Sequence, residues 1–440
     1  MIKRYSKKAT EHYEYPQIST MDDIGSTDPY TLFEKEKKDV VIYIHIPFCR
    51  NNCKFCNYYK IHHFDSSVTD TYFGSLQREL LYYRPYVRCV KAVQFGGGTP
   101  TCIPLQYYHK LLAFIKNTFV CDNQLQVSME SDIRQLQISD SLAQLKECGI
   151  NRVSFGVQTF NDKARLALGL PFSRDDLIEK IQVITSSSDF DCNADLMFNL
   201  PEQDPEELLC DINLCFQLGI NCLDLYHLNV FPGTRMYKWM LERKWVKEYY
   251  SISRQKEFYL AYHTLIANPS INFCMSNTIT MTQKAPNIYT KMQLGGADCW
   301  QLGIGASSRG FVGNAGYRNY SDIGLYSQSV SVSGLGIRSL KKCNDPFRRK
   351  LVLMPNLLEM DIFGYDLNLS LSMKINQLIA EGVLHMNGNI LSLDPDFYFY
   401  AGNVSEEFYS TEDAANAQNI VLNNYRNGLN MYNQDKVNMG

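Results

Sequence analysis

The sequence predicts an α/β fold: a partial, open (β/α)6 barrel of the TIM-like kind, with a C-terminal α+β extension. Two observations carry that expectation. From Val40 to Val230, short β-branched or apolar runs alternate with longer amphipathic stretches, and alternation on that scale builds a parallel sheet covered by helices. After Phe231 the rhythm is lost, and helical stretches mix with glycine-rich turns such as LGGADCWQLGIGASSRGFVGNAGY.

The strand candidates are VVIYIHI (Val40–Ile46), AVQFGG (Ala92–Gly97), LQVSME (Leu125–Glu130), RVSFGVQ (Arg152–Gln158), ADLMFNL (Ala194–Leu200) and CLDLYHLNV (Cys222–Val230). Their Val, Ile, Phe and Tyr residues suit a pleated, half-buried surface. The helical candidates between them are Thr69–Tyr82, Leu105–Asn117, Ser139–Cys148, Arg174–Thr185 and Pro205–Gln217. Asp204 followed by Pro205 and EELL reads as an N-cap with proline at the first helical position. Six such units leave a barrel open, short of the eight that close one. A doubly wound open sheet is the competing arrangement, which alternation alone does not exclude.

Residues 1–38 read as an N-terminal extension, 39–235 as the barrel and 236–342 as an extension closing the active site. Within 343–405 the stretch SLSMKINQLIAEGVLHMNGNILSLD reads as helix, turn and hairpin, which fits a winged-helix-like domain. Residues 406–440, rich in Asn, Glu and Tyr, read as a flexible tail.

Composition narrows the function classes. The 440 residues are 45% hydrophobic and 20% charged, as in a globular protein. A formal net charge of -3 argues against a dedicated nucleic-acid binder. No apolar run reaches the roughly 18 residues a membrane span needs. The N-terminal MIKRYSKKATEHYEYPQIST has basic residues with no apolar core behind them, so it does not read as a secretory signal. The expectation is a cytoplasmic monomer acting on a small molecule, with no nucleic acid and no membrane as partner. Most of the 14 cysteines are scattered through apolar segments, where a reduced thiol packs as a small hydrophobe rather than in a disulfide framework.

One group is clustered. In HIPFCRNNCKFCNYY, Cys49, Cys53 and Cys56 follow a strand ended by Pro47, which puts three thiols on the loop face where parallel α/β proteins build their sites. Thiolates are the ligands of iron–sulfur clusters, usually four to a cluster; three would leave one iron open to a small molecule. Zinc is the rival, with His45, His62 or His63 as fourth ligand. The second motif is FGGGTPT (Phe95–Thr101), where three glycines let a ligand approach and expose backbone N–H donors. No Gly-Lys-Ser/Thr follows, so it is not a phosphate-binding P-loop; a plain tight turn is the alternative. Glu130, Gln158 and Asp195 are polar residues at or near successive strand ends. A carboxylate or amide in a barrel mouth needs a partner, and each of these could instead satisfy a neighbouring helix or arginine.

C-x3-C-x2-C after a strand, and the longer YIHIPFC…C-x-F-C, resemble the radical S-adenosylmethionine (SAM) superfamily. The subgroup resembled contains oxygen-independent coproporphyrinogen III oxidase, a haem chaperone-like branch, anaerobilin synthase and the class C radical SAM methyltransferases. The resemblance covers about Val40 to Tyr400. It implies an oxygen-sensitive [4Fe–4S] cluster on Cys49, Cys53 and Cys56, with SAM chelated by the open iron and cleaved to a 5′-deoxyadenosyl radical. A reductant such as flavodoxin or ferredoxin is implied too. It places Gly97, Gly98 and Thr99 against SAM, and Tyr43, Glu130, Gln158 and Asp195 against one of two SAM molecules. Phe55 is implied at the second, and Gly303, Gly305 and Ala306 are implied to close over it.

One departure stands out. Where the family places an Arg about a dozen residues after the Gln, this chain reads LALGLPF, with Leu170 at that position and Arg165 or Arg174 as the substitutes at hand. LDLYHLNVFPGTRMY (Leu223–Tyr237) looks closer to the anaerobilin synthase branch, and its His227 is a tentative substrate ligand or proton donor, against the alternative of a hydrogen-bonded core histidine. Gly303, Gly305 and Gly310 only faintly resemble a dinucleotide motif, with the wrong spacing. The leading expectation is methyl transfer to an sp2 carbon of a tetrapyrrole or other aromatic substrate, with anaerobic haem degradation as one setting. Oxidative decarboxylation of coproporphyrinogen III and a haem-binding, chaperone-like protein are the rivals.

Overall fold

In a computed structural model of the chain, the described residues are Tyr15, Asp22–Asp23 and 37–415, apart from 52, 137–138, 187–189, 282–286, 297 and 344. Most of the expected N-terminal extension and the tail beyond 415 therefore lie outside the described residues. Part of that expected tail is packed: Phe408 and Tyr409 are buried, and Asp413 accepts hydrogen bonds from Tyr15 and from Lys341.

After a two-residue strand, β1 (Asp22–Asp23), the barrel elements run β2 (Lys38–Ile46), α1 (Ser66–Tyr83), β3 (Val87–Gly97), α2 (Leu105–Thr118), β4 (Cys121–Ser131), α3 (Ser139–Glu147) and β5 (Arg152–Gln158). They continue with α4 (Asp162–Leu168), α5 (Arg174–Thr185), β6 (Asp191–Phe198), α6 (Pro205–Gln217) and β7 (Cys222–His227). Local chemistry sets the helix ends. The Asp65 carboxylate accepts from the Val68 N–H to start α1, and Ser173 and Asp176 form a capping box at α5. Pro205 opens α6 as expected, with Glu207 accepting from the Asp204 N–H at 2.7 Å. Two strand expectations ran long: β6 stops at Phe198 because Asn199 takes φ +59°, and β7 stops at His227. The short α4, capped by Asn161 and ended by Gly169 at φ +70°, was not expected.

β2 to β7 pair in sequence order, each parallel to the next. No reversal of order occurs, so the doubly wound alternative falls and the strands form an open arc. The chain's second half covers both edges. It supplies α7 (Arg235–Glu242), α8 (Val246–Tyr249), α9 (Ile252–Ile266), β8 (Asn272–Met275), β9 (Thr278–Thr280), α10 (Ile288–Lys291), β10 (Trp300–Ile304), β11 (Arg309–Val312), β12 (Ala315–Asn319), α11 (Ile323–Ser333) and β13 (Ile337–Lys342). β10 lies parallel against β2, with Gly303 opposite Tyr43, and β9 runs antiparallel along β7.

The arc has two faces of opposite chemistry, because side chains alternate along a strand. Ile42, Ile44 and Ile46, Val93 and Phe95, Val127 and Met129, Val153 and Phe155, and Leu223 and Leu225 meet the helices in the main apolar core. The other face carries Tyr43 and His45, Gln94, Gln126, Ser128 and Glu130, Arg152 and Ser154, Asn193 and Asp195, and Asp224. This polar lumen is closed on one side by α10: the Ile288 N–H donates to Gln126 at 2.8 Å and Asn287 donates to Gln94 at 3.3 Å. A second core belongs to the C-terminal stretch, built from α12 (Pro346–Leu357), β14 (Glu359–Asp361), α13 (Leu369–Ala380), β15 (Leu384–Asn387), β16 (Ile390–Leu393) and α14 (Ala401–Glu406). Its three strands pair in the order β14-β16-β15. Among the described residues, no helix is long and apolar enough to cross a membrane.

Candidate active site

Pro47 ends β2, and the thiols follow on a loop that is closed at its neck. Phe48 pairs with Ile61 in an isolated bridge; the Cys49 N–H donates to the Ile61 carbonyl at 3.0 Å and the Ile61 N–H to Pro47 at 2.7 Å. Three tethers hold the loop over the lumen. Asn51 donates to Asp132 beyond β4 (2.6 Å), Lys54 to the Ala167 carbonyl at the end of α4 (2.8 Å), and the Met236 N–H of α7 to the Lys54 carbonyl (2.8 Å). Cys49 is buried, with its Sγ 3.2 Å from Thr99 Oγ1. Cys53 and Cys56 are half-buried, and burial pushes the Cys53 thiol up, with Cys56 and Cys49 adding to the shift. Cys53 is thus near both of the other sulfurs.

This donor set fits a cluster, in which each thiolate takes a different iron. For zinc, His62 Nδ1 is bonded to the Cys49 carbonyl at 2.8 Å and His45 Nδ1 lies 3.1 Å from the Tyr43 hydroxyl, bonds that leave each Nε2 able to ligate, so the case against a single ion rests on grouping. Among the described residues, no three His, Cys, Asp or Glu side chains are grouped to hold a single ion. All 14 cysteines are free thiols.

The glycine edge corrects one expectation. A Cβ on Gly96 would meet Glu130 at 2.5 Å, one on Gly98 would meet the Phe48 carbonyl at 2.5 Å, and one on Gly97 would run into the His45 ring. The glycines are needed for close approach, but their N–H groups are not open donors. Gly97 donates to Glu130 (3.1 Å), Gly98 to Ile46 (2.8 Å) and Thr99 to Phe48 (2.8 Å). What the edge offers a ligand is room, with its donors spent on the roots of the thiol loop and on a lumen carboxylate.

Burial raises Glu130, opposed by bonds from Gly97 and Gln94 and by the Arg152 charge. Burial also raises Asp195, and its neighbours Asp224 and Glu130 add to the shift. Asn193 bridges the aspartates, 3.2 Å from Asp195 and 3.0 Å from Asp224. His45 is driven by burial down to about 4 and is neutral, and its Nε2 is buried with no partner. Tyr58 is 61% exposed, yet surrounding protein pushes its phenol up to about 12, with Glu130, Cys56 and Asp195 adding and Arg309 opposing. Its exposed side chain is near Glu130, Cys56, Asp195 and Arg309, so β4, the thiol loop, β6 and β11 form the rim of the lumen around it.

The expected site residues fall into two groups. Tyr43, Gly97, Gly98, Thr99 and Glu130 gather on the β2–β4 side, and the β10 register adds Gly303 beside Tyr43. The Gly305 and Ala306 N–H groups are held by residues of α1 beside the end of β2, which sets this expected trio on the Tyr43 side of the arc. Across the arc, Asp195 shares the lumen face with Met197 and Tyr226, while Phe55 and Leu170 pack into an apolar cluster with Met197 and Leu168. Gln158, at φ +67°, folds back toward Gly156. Neither cation nearby replaces the missing Arg. Arg165 is buried and spends its guanidinium on the carbonyls of Val157, Thr159, Pro171 and Phe172. Arg174 lines a polar cleft with Asn161, Asp204 and Glu207, which contains none of the site residues.

His227 is also corrected. It shares the helix-facing side of β7 with Leu223 and Leu225, with its ring 5.4 Å from Phe198 and 5.7 Å from Tyr249, and Nε2 3.0 Å from Asn199. It is part of the wall, not the lumen. Sequence reasoning missed Gln94, Gln126, Arg152, Ser154, Asn193 and Asp224. Their signal was there: polar residues spaced by two inside otherwise apolar strands.

Known proteins resemble parts of this chain. Residues 43–215 match the family model described as the Radical SAM superfamily. The heme chaperone HemW of Buchnera aphidicola is 30% identical over 45% of this chain and 53% of its own length. The anaerobilin synthase of Escherichia coli O157:H7 is 25% identical over 66% of this chain and 65% of its own length. The chain thus spans between half and two thirds of these relatives. The solved coproporphyrinogen III oxidase (HemN) of Escherichia coli superposes with a TM-score of 0.74 at 19% identity, covering 90% of this chain and 96% of that one; at that identity the likeness is one of fold. The superfamily uses a [4Fe–4S] cluster and SAM. Residues 43–215 therefore carry a radical SAM domain, and the chain is similar to proteins named oxygen-independent coproporphyrinogen III oxidase, HemW and anaerobilin synthase.

Proposed function

We propose that this chain methylates an sp2 carbon of a planar, tetrapyrrole-class substrate, with Cys49, Cys53 and Cys56 holding a [4Fe–4S] cluster. When bound, the cluster supplies the electron that cleaves SAM to a 5′-deoxyadenosyl radical. The observation that carries the reading is the meeting of three thiols on one tethered loop with a side-chain-free edge, Gly96–Gly98, at a polar barrel mouth. Thr99 stands beside the Cys49 sulfur to donate to a thiolate. Glu130, held by Gly97 and Gln94, is placed to accept from an ammonium group. Tyr43 and the Gly303–Ala306 stretch wall this first seat. Gln158, Asp195 and Phe55 make the second, for the methyl donor. Tyr58 at the rim gives a flat substrate an aromatic face to lie against. In this reading residues 236–342 close the site, 343–405 form a winged-helix-like domain, and a flavodoxin or ferredoxin supplies electrons.

Leu170 favours a second reading. With Leu170 in an apolar cluster and Arg165 bound to four backbone carbonyls, no guanidinium from that stretch meets a second SAM carboxylate. Hydrogen abstraction with one SAM, leading to decarboxylation of porphyrinogen propionates, needs no second seat. One assay separates the readings: reconstituted, reduced protein is incubated with SAM and candidate tetrapyrroles. S-adenosylhomocysteine with 5′-deoxyadenosine is the expected result; carbon dioxide with 5′-deoxyadenosine supports decarboxylation. Tight haem binding without SAM consumption refutes both and leaves a haem chaperone.

A further inference from the structure

Glu79 lies on the inner face of α1, fully buried, and the chemistry above does not use it. Its carboxylate gathers four donors from four separate segments. Oε2 accepts from the Gly305 N–H (2.9 Å) and the Tyr326 hydroxyl (2.7 Å); Oε1 accepts from the Asn319 amide (2.8 Å) and the Gly336 N–H (3.0 Å). None of the four is a cation. Two helical turns earlier on the same face, the Tyr72 hydroxyl donates to the His45 carbonyl at 2.7 Å and accepts from the Ala306 N–H at 2.9 Å. Consecutive backbone N–H groups, of Gly305 and Ala306, are therefore held from one helix. That helix is also tied to β2 four residues before Cys49. Gly305 has no room for a side chain there: at φ +100°, a Cβ would stand 2.5 Å from the Tyr72 hydroxyl and 2.9 Å from the His45 carbonyl.

A buried carboxylate with neutral partners is an expensive way to fill a core, and apolar residues would pack at least as stably. What the arrangement provides is a fixed distance between the Gly303–Ala306 strap and the end of β2. We propose that Glu79 and Tyr72 are positioning residues that clamp this strap beside Tyr43 and so set the wall of the first SAM seat. The proposal rests on the reading that SAM sits there.

The ionised form of Glu79 can accept from all four donors; the protonated form sets one hydroxyl against a donor. Burial lifts this group to about 7, opposed by the four bonds. The titratable side chains facing it are Tyr72 and Tyr83 on α1, Tyr317 on β12 and Tyr326 on α11, all raised by burial and uncharged in that range. The four bonds lower the group relative to the same buried site without them, so against a released strap that leaves Glu79 buried, the clamp tightens as pH rises through about 7.

The test uses the full chain with its cluster reconstituted, and compares wild type with Glu79→Gln and Tyr72→Phe. SAM affinity is read from the change SAM makes in the reduced cluster's electron paramagnetic resonance signal, and strap order from amide hydrogen exchange. With iron content unchanged, Glu79→Gln should weaken SAM about 10- to 100-fold, the loss of a bond to a charged acceptor, and should flatten a wild-type affinity that climbs through pH 7. Gly305 and Gly336 should lose protection in Glu79→Gln, and Ala306 in Tyr72→Phe. If Glu79→Gln does not fold, Tyr72→Phe carries the test, with the same SAM loss expected. Wild-type SAM affinity, pH profile and strap protection in the variants would overturn the clamp. A wild-type cluster signal that SAM leaves unchanged would instead overturn the seat, while the protection data would still report on the clamp.

Discussion

Replacing Gly98 with alanine tests whether the glycine edge and the thiol loop are one mechanical unit. The new methyl would lie 2.5 Å from the Phe48 carbonyl and 2.8 Å from that of Ile46, and both are backbone atoms that cannot swing aside. Restoring even a tight 3.4 Å contact moves the end of β3 from β2 by roughly 0.9 Å. The bonds from Gly98 to Ile46 and Thr99 to Phe48, both 2.8 Å, then stretch past about 3.5 Å and are lost. Overpacking costs about 1–3 kcal/mol and each bond about 0.5–1.5 kcal/mol, so the variant should lose about 2–6 kcal/mol. Thr99 moves with the strand, away from the Cys49 sulfur. Thermal unfolding, iron per chain after reconstitution and SAM affinity are the measurements, and all three should fall. Gly74→Ala is the control: in the middle of α1, its Cβ meets nothing closer than Arg78 at 3.8 Å, so it should stabilise by about 0.4–1 kcal/mol. A Gly98→Ala protein with wild-type melting, iron and SAM binding would refute the coupling.

Further expectations rest on the same geometry. Cys53→Ala should hold less iron and lose SAM cleavage; full cleavage by that variant would sink the cluster assignment. His227→Phe should lower thermal stability, since Asn199 loses one of its partners, but keep turnover within about threefold; abolished turnover at unchanged stability would return His227 to the lumen. Glu79 should make stability pH-dependent. Its folded pKa of about 7 lies above the ordinary 4.5, so the unfolded chain binds fewer protons between those values, and the contribution of this group is lost as pH rises from about 4.5 to about 7. At 1.36 kcal/mol per unit that is about 3 kcal/mol, and it should be missing from the denaturation profile of Glu79→Gln; identical profiles would contradict it.

Much of the site was legible because strand geometry is simple. A β-branched run ended by proline sets the next residues at a strand's mouth, and this located Cys49, Cys53 and Cys56. The period-two polar residues that line the lumen were equally readable, in LQVSME and CNADLMF, but only if the inner face of a barrel is allowed to be polar. His227 was misplaced for the same reason: parity with Leu223 and Leu225 decides its side, not its chemistry. Other features were out of reach. The N–H groups of Gly97, Gly98 and Thr99 are spent on atoms of other elements, which a motif does not show. Glu79, in the helical stretch LQRELLYY, looks like any solvated helix residue, because its partners lie 226 to 257 residues further along the chain.

The parallel pairing of β10 with β2 has a consequence for how the protein is made. The strand that carries the thiol loop has one open edge until Trp300 comes to lie against Val40, 260 residues later in synthesis. For that interval the nascent chain presents an unpaired strand edge of the kind that invites association with other chains. It also presents the three thiols with one side wall still missing. Cluster loading has its widest access then, and a chain that acquires iron late must do so with the β2 edge of the arc already covered by β10. Expression conditions that supply iron and sulfide during translation should therefore yield more loaded protein than reconstitution of the finished chain.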